Sequence, residues 1–392
     1  MRVGQTIYLD HQATTPVDRR VLAEMAPYHA GSFGNPHSSD HCMGWRAARA
    51  VEGAAARVAR LIGADPDEIL FTSGATESSN MALLGLGRGA AGGSRRRILV
   101  SAVEHRCVLA PARALEERYG FSVERIPVDR QGRVDPGALE GMLGEDVLAV
   151  SVMAVNNEIG TVQDIADISG HVRRWGAVFH CDAAQAPIGM PVGGLAGHAD
   201  LLSLSGHKMY GPKGVGVAFI ARGLQDRVEP LVYGGGQQAG LRPGTVPVPL
   251  CVGMGAAAEL LDTDETQGKR DRLRRRRDAL VRGLKGLGWP IRSIGPQGRA
   301  RHPGNASVCF HGLSAHEMLG ALQPRLAAST GSACASGIPE PSHVLRAIGL
   351  DGDDAEATVR FSLGFGTTDE DVAQAVALVG DILPELSRVG FA

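Results

Sequence analysis

The chain has 392 residues, 44% of them hydrophobic and 21% charged, and its 53 glycines and 21 prolines are too few for a low-complexity polymer. That length predicts two or three domains, and that composition excludes collagen, coiled coil and intrinsic disorder. A net charge of −2 gives no electrostatic footprint for nucleic acid, and the apolar runs are too short to span a bilayer.

The opening residues lead into a strand without a signal-peptide core, so a cytoplasmic protein is expected. A helix is predicted over Trp45–Ile62, with Ala47, Ala50, Val51, Ala54, Val58, Leu61 and Ile62 on its apolar face. Strands follow at Glu68–Thr72, Arg97–Ser101, Val147–Met153, Ala177–Cys181, Leu201–Leu204 and Gly214–Ile220, with helices such as Gly74–Gly85 and Asp164–Trp175 between them. Continuous apolar strands alternating with helices predict an α/β domain around a mostly parallel sheet. After Gly253 one long helix is expected to reach Leu287. Strands near Ile291–Ile294 and Ala306–Phe310, a helix at Ala315–Leu322, a strand at Thr358–Ser362 and a closing helix at Asp369–Leu386 then predict a smaller α+β domain. The basic run Arg274–Arg277 reads as a solvated helix face.

Six cysteines are scattered at positions 42, 107, 181, 251, 309 and 334, with no C-x-x-C pair, which argues for a reducing compartment and against a zinc site or disulfide framework. Five fall in strand or helix patterns and are expected to be buried. Cys334 instead sits in Ser329-Thr330-Gly331-Ser332-Ala333-Cys334-Ala335-Ser336-Gly337, a run of small residues that packs little; it is the candidate nucleophile on a mobile loop.

Only four of the forty basic residues are lysine, and two of those, Lys208 and Lys213, stand five apart after a strand. Arginine replaces lysine as a charge but not as an amine nucleophile, so Lys208 in Ser205-Gly206-His207-Lys208 is a candidate for covalent chemistry. Asp182 ends another strand, with Gln185 just beyond it, and is placed to hold a protonated ring nitrogen. Thr72-Ser73-Gly74-Ala75-Thr76-Glu77 joins a strand to a helix, so Ala75 and Thr76 present backbone N–H groups to a phosphate; the alternative is an ordinary helix cap by Ser73 or Thr76. His105, after a further strand, can face a flat ring. A phosphate seat, a lysine, a carboxylate and a ring-facing group are together the requirements of a pyridoxal phosphate site. Arg360 in Val359-Arg360-Phe361-Ser362 is equally consistent with a substrate-carboxylate clamp and a structural ion pair.

These residues resemble the NifS/IscS-type cysteine desulfurases of the fold-type I pyridoxal-phosphate enzymes nearly end to end. The matching motifs include Tyr8-Leu9-Asp10 with Ala13–Pro16, Phe33-Gly34-Asn35-Pro36, Phe71–Glu77, Glu104-His105, Val155–Gly160, Asp182–Gln185, Ser205–Lys208, Gly331–Cys334, Glu340–Ser342 and Arg360–Ser362. The resemblance implies a large domain over 16–255 and a small one formed by 1–15 and 256–392, which carries the cysteine loop at about 329–341. It implies that Lys208 carries pyridoxal 5'-phosphate covalently, Asp182 pairs with the ring nitrogen, Gln185 and Asn157 meet the ring oxygen side, and His105 stacks on the ring. Ala75, Thr76, Ser205 and His207 then bind the phosphate. Thr245 reaches the phosphate of a second subunit in a homodimer, and Arg360, with Asn35, holds the carboxylate of L-cysteine. Sulfur passes to Cys334 as a persulfide and on to an acceptor or scaffold protein, with alanine released. No resident metal is implied, only passing contact of the Cys334 persulfide with an iron–sulfur centre.

Three features depart from the family pattern: Pro243 before Gly244-Thr245, Phe365 after Ser362-Leu363-Gly364, and only 28 residues after Gly364, a short tail that bears on the acceptor. The competing readings are a selenocysteine or C–S lyase, which has no need of Cys334, and a sulfur-transfer scaffold, which has no need of Lys208, Asp182 and His105.

Overall fold

A computed structural model describes residues 1–331, 342–350 and 352–389. Cys334 and most of the Ser329–Gly337 segment lie outside the described residues.

Seven strands form the main sheet: β1 Ile69–Thr72, β2 Arg97–Ser101, β3 Ser122–Ile126, β4 Val147–Ser151, β5 Val178–Asp182, β6 Leu201–Ser205 and β7 Gly216–Ile220. Their order is β1-β7-β6-β5-β4-β2-β3, parallel except for β7, which runs antiparallel to both its neighbours. Every residue of β4, β5, β6 and β7 is buried. Their apolar groups divide between two cores: Leu148 and Val178 pack on one face, Val150 and Phe179 on the other. A strand covered on both faces has no polar period to keep, which explains the continuous apolar runs.

The helices that cover the sheet have physical start and stop signals. Helix Cys42–Ile62 begins where the His41 ring accepts from the Gly44 N–H at 3.2 Å, and it ends at Gly63 with φ of 75°. It packs on helix Val248–Leu261, whose Gly255 has no Cβ to strike the Ala54 backbone. The expected single helix to Leu287 is two helices, Val248–Leu261 and Asp264–Lys285, broken at Asp262-Thr263. The Arg274–Arg277 expectation is corrected at its last position, while Arg275 is exposed. Arg277 is buried and gives its guanidinium to the carbonyls of His302 and Asn305 at 3.4 and 3.5 Å.

A second, antiparallel sheet joins Ile291–Ser293, Asn305–Phe310 and Thr358–Ser362. The segment Thr6–Tyr8 pairs in parallel with Leu326–Ala327, and Asp10 bridges to Ser362. The N-terminal arm is thereby fastened to the smaller sheets, while its next residues reach the main sheet. Among the described residues, no helix is long and apolar enough to cross a membrane.

Candidate active site

The parallel strands β4, β5 and β6 end on one edge of the main sheet, and the loops beyond them enclose a cavity of about 600 Å³. Asp182 is the last residue of β5, and Ser205 the last of β6. Lys208 lies in the turn that carries the chain from β6 to its antiparallel neighbour β7. Lys208, Asp182, Gln185, Ser205, His207, His105, Asn157, Ala75 and Thr76 all line this one space.

The phosphate-seat motif forms as a bare helix start. Gly74 is the N-cap residue with φ of 155°, and no side chain caps the helix Ala75–Asn80, contrary to the capping alternative. Glu77 turns back to accept from the Ser73 N–H at 2.6 Å and pairs with Arg242 at 2.8 Å. The chain can approach this closely because the Gly74 backbone rests against Gly216 of β7, where an added methyl would sit 2.5 Å from the Gly74 Cα.

Lys208 Nζ donates to the carbonyls of Gln12 at 2.6 Å and Ala13 at 2.7 Å. Burial, with Arg360 assisting, brings its pKa down to about 8. His207 Nδ1 meets Thr14 Oγ1 at 3.2 Å, and burial with the two neighbouring lysines lowers its pKa to about 4, so it is neutral at pH 7. His105 caps helix Arg106–Tyr119, its Nδ1 accepting from the Cys107 N–H at 3.1 Å. Burial lowers its pKa, partly opposed by the charge of Asp182. Asp182 Oδ1 accepts from the Ala184 N–H at 2.9 Å.

The cavity suits pyridoxal 5'-phosphate by its donor set. It has free N–H groups at an uncapped helix start for an anion, an amine of depressed pKa for an aldehyde, and a carboxylate for a ring nitrogen, with apolar Met153 and Val155 in the wall.

Three expected site residues are not in this wall. Arg360 is buried at the edge of the small sheet and is ion-paired with Asp10 at 2.7 Å. It also donates to Ser329 Oγ at 2.8 Å and the Asn157 carbonyl at 2.7 Å, while its Nε is buried without a partner. Asn35 is exposed, its Oδ1 accepting from the His37 N–H at 2.9 Å. Thr245 is exposed beside Gly244, whose N–H donates to Gln237 at 2.9 Å. The expectation for the cysteines is corrected at one position: Cys42 is exposed at the first turn of its helix, whereas Cys107, Cys181, Cys251 and Cys309 are buried.

The structure adds residues that sequence reasoning left aside. Cys107 and Thr14 line the cavity, as does Lys213, the second of the paired lysines. Cys107 had an available signal, its position two residues after His105 on a helix start. Away from the cavity, Cys309, His311 and Asp354 form the one group of metal-capable side chains among the described residues. Asp354 is already committed there to Arg292 at 2.6 Å and His311 at 2.7 Å.

The family model for class-V aminotransferases matches residues 7–375. A mitochondrial cysteine desulfurase of Drosophila melanogaster is 46% identical over 371 residues, 94% of this chain and 79% of the relative. The cysteine desulfurase IscS of Rickettsia felis is 42% identical over 391 residues, 98% of this chain and 92% of the relative. A solved NifS-like protein superposes with a TM-score of 0.90 at 35% identity, covering 98% of this chain and all of that one.

Proposed function

This chain belongs to the class-V aminotransferase family, as an enzyme of the NifS/IscS type, and on that premise we propose that it is a cysteine desulfurase dependent on pyridoxal 5'-phosphate. The observation that carries the reading is the convergence of Lys208, Asp182 and the uncapped start of the helix at Ala75 on one cavity. When bound, the cofactor supplies an aldehyde for the substrate amine and a ring that withdraws electrons from the substrate's α-carbon.

In this reading Ala75, Thr76, Ser205 and His207 hold the phosphate, Asp182 keeps a proton on the ring nitrogen, and Gln185 and Asn157 meet the ring oxygen side. Lys208 would hold the cofactor through its aldehyde and would carry the proton taken from the substrate's α-carbon; a pKa of about 8 suits both tasks. His105, in the cavity wall, would face the ring and move the proton of the substrate thiol. Arg360 leaves Asp10 to take the substrate carboxylate, with Asn35 completing the clamp. The Cys334 thiolate attacks the substrate sulfur. The carbon–sulfur bond breaks with its electron pair going to carbon, a proton joins that carbon, and the products are alanine and a persulfide on Cys334. The persulfide then meets a sulfur-acceptor protein, of iron–sulfur assembly or another thiolation pathway. Thr245 reaches a second copy of the chain in a homodimer.

The test is hydride trapping followed by peptide mapping, run beside assays of alanine and sulfide from L-cysteine. A pyridoxyl adduct on Lys208, and loss of sulfide release in Cys334→Ala with the visible absorption retained, are expected. An adduct at another residue, or normal turnover by Cys334→Ala, removes the assignment.

A further inference from the structure

Cys107 is drawn into the cavity wall by the first turn of helix Arg106–Tyr119, the same turn whose N–H bond orients His105. Its Sγ stands 3.6 Å from Asp182 Oδ2, while the other carboxylate oxygen is held by the Ala184 N–H at 2.9 Å. Each oxygen of Asp182 therefore has one donor from the chain, and each keeps a lone pair for what occupies the cavity. Behind Cys107 runs a line of buried polar groups. Ser79 Oγ is 3.6 Å from the sulfur and donates to Ser203 Oγ at 3.1 Å; Ser203 meets His180 Nε2 at 3.0 Å, and His180 Nδ1 meets Ser151 Oγ at 2.8 Å. Ser79, Ser203, His180 and Ser151 are all fully buried.

We propose, on the cofactor reading above, that Cys107 is a positioning residue: its thiol donates to Asp182 Oδ2 and fixes the carboxylate that faces the ring nitrogen. Burial and the adjacent Asp182 charge raise the Cys107 pKa, which keeps the sulfur protonated and therefore a donor. Burial likewise lowers the pKa of His180 to about 3, so the line behind carries no charge and does not compete with the carboxylate. A thiol has one proton, and an ionised carboxylate beside it is a better acceptor than the Ser79 hydroxyl. The serines and His180 tie together strands β4, β5 and β6 and the helix that starts at Ala75. With the thiol proton given to Asp182, the sulfur meets Ser79 Oγ by contact alone, so the line behind packs the residue that orients the carboxylate.

The test uses the full-length apo-protein titrated with pyridoxal phosphate carrying nitrogen-15 in the ring, in the parent, Cys107→Ala and Cys107→Ser. Loss of a weak donor to a charged acceptor is expected to weaken cofactor binding about fivefold in Cys107→Ala and to move the ring-nitrogen resonance. Cys107→Ser, which keeps a hydroxyl donor, restores both to near the parent values. Thermal unfolding of each apo-protein reports packing separately. If Cys107→Ala matches the parent in affinity and resonance, or if Cys107→Ser is as impaired as Cys107→Ala, the positioning role is overturned and the residue only packs. A parent protein that takes up no pyridoxal phosphate at all overturns the cofactor reading, and this proposal with it.

Discussion

Burial pulls the Lys208 pKa from its ordinary value to about 8, and the consequence is measurable before any substrate is present. At pH 7 about a tenth of such a residue is free amine, against roughly one part in several thousand for an unperturbed lysine. Uptake of pyridoxal phosphate by the apo-protein, followed by its visible absorption, should accelerate with pH along a curve centred near 8. A curve still climbing at pH 10 shows that the pocket does not perturb the lysine. Linkage has the matching sign: the folded state disfavours the ammonium form, so the stability cost is full below about pH 8 and is relieved as pH rises toward 10.5. Lys208 and Asp182 were legible in the sequence because both stand at or just past the ends of buried apolar strands, where a charged group is out of place unless it is used. Arg360 was not resolved by sequence, since a buried arginine looks the same whether its carboxylate partner belongs to the chain or to a substrate. In the structure it has the chain's own Asp10. Cys107 was taken for a core residue and is one by burial, and only the tertiary fold brings its sulfur to a carboxylate 75 positions away.

Among the elements, a close constraint at the site is the backbone contact between the helix start at Gly74 and strand β7. An added methyl at Gly216 meets the Gly74 Cα and the Leu204 carbonyl oxygen, both at 2.5 Å, and neither belongs to a side chain that can turn away. Gly216→Ala should cost about 1–3 kcal/mol of stability and displace the helix start, so that cofactor affinity falls more than the melting temperature alone suggests. Parent-like affinity in a destabilised protein separates the two elements and shows that the seat tolerates the shift. The strands of the sheet centre were readable for the reason that makes them rigid, burial on both faces. The edge strand Ser122–Ile126 was missed because Glu124 and Arg125 interrupt its apolar residues, and an edge position tolerates that. Helix Arg106–Tyr119 was given no bounds from the sequence, and it carries Pro111 in its interior, a residue that normally marks a boundary.

For the whole molecule, acid is expected to be a stronger denaturant than base. His11, His180 and His302 are all buried, with pKa values lowered by burial to about 4, 3 and 3. Each takes up a proton in the unfolded chain near pH 6.5 but in the folded chain only well below it. The stability they permit is therefore complete above pH 6.5 and drains away as pH falls toward 4 and beyond. Three such groups should together remove several kcal/mol between pH 7 and pH 5, read as a drop in the urea midpoint of the apo-protein and opposed by buried Glu104 and Glu158, whose raised pKa values favour the fold as pH falls. Histidine ring resonances that titrate near pH 6.5 in the folded protein contradict the burial of these rings.

The arm at residues 6–15 joins the earliest part of the chain to its latest. Gln12 and Ala13 receive the Lys208 amine, Gln12 receives the Gln185 amide at 2.8 Å, and the preceding residues pair with Leu326–Ala327 and Ser362. During synthesis the arm precedes the strands that hold it down, which appear more than three hundred residues later. An unfinished chain can fold its central sheet but has no fixed arm beside the lysine. The pocket is therefore completed only once those later strands have been made.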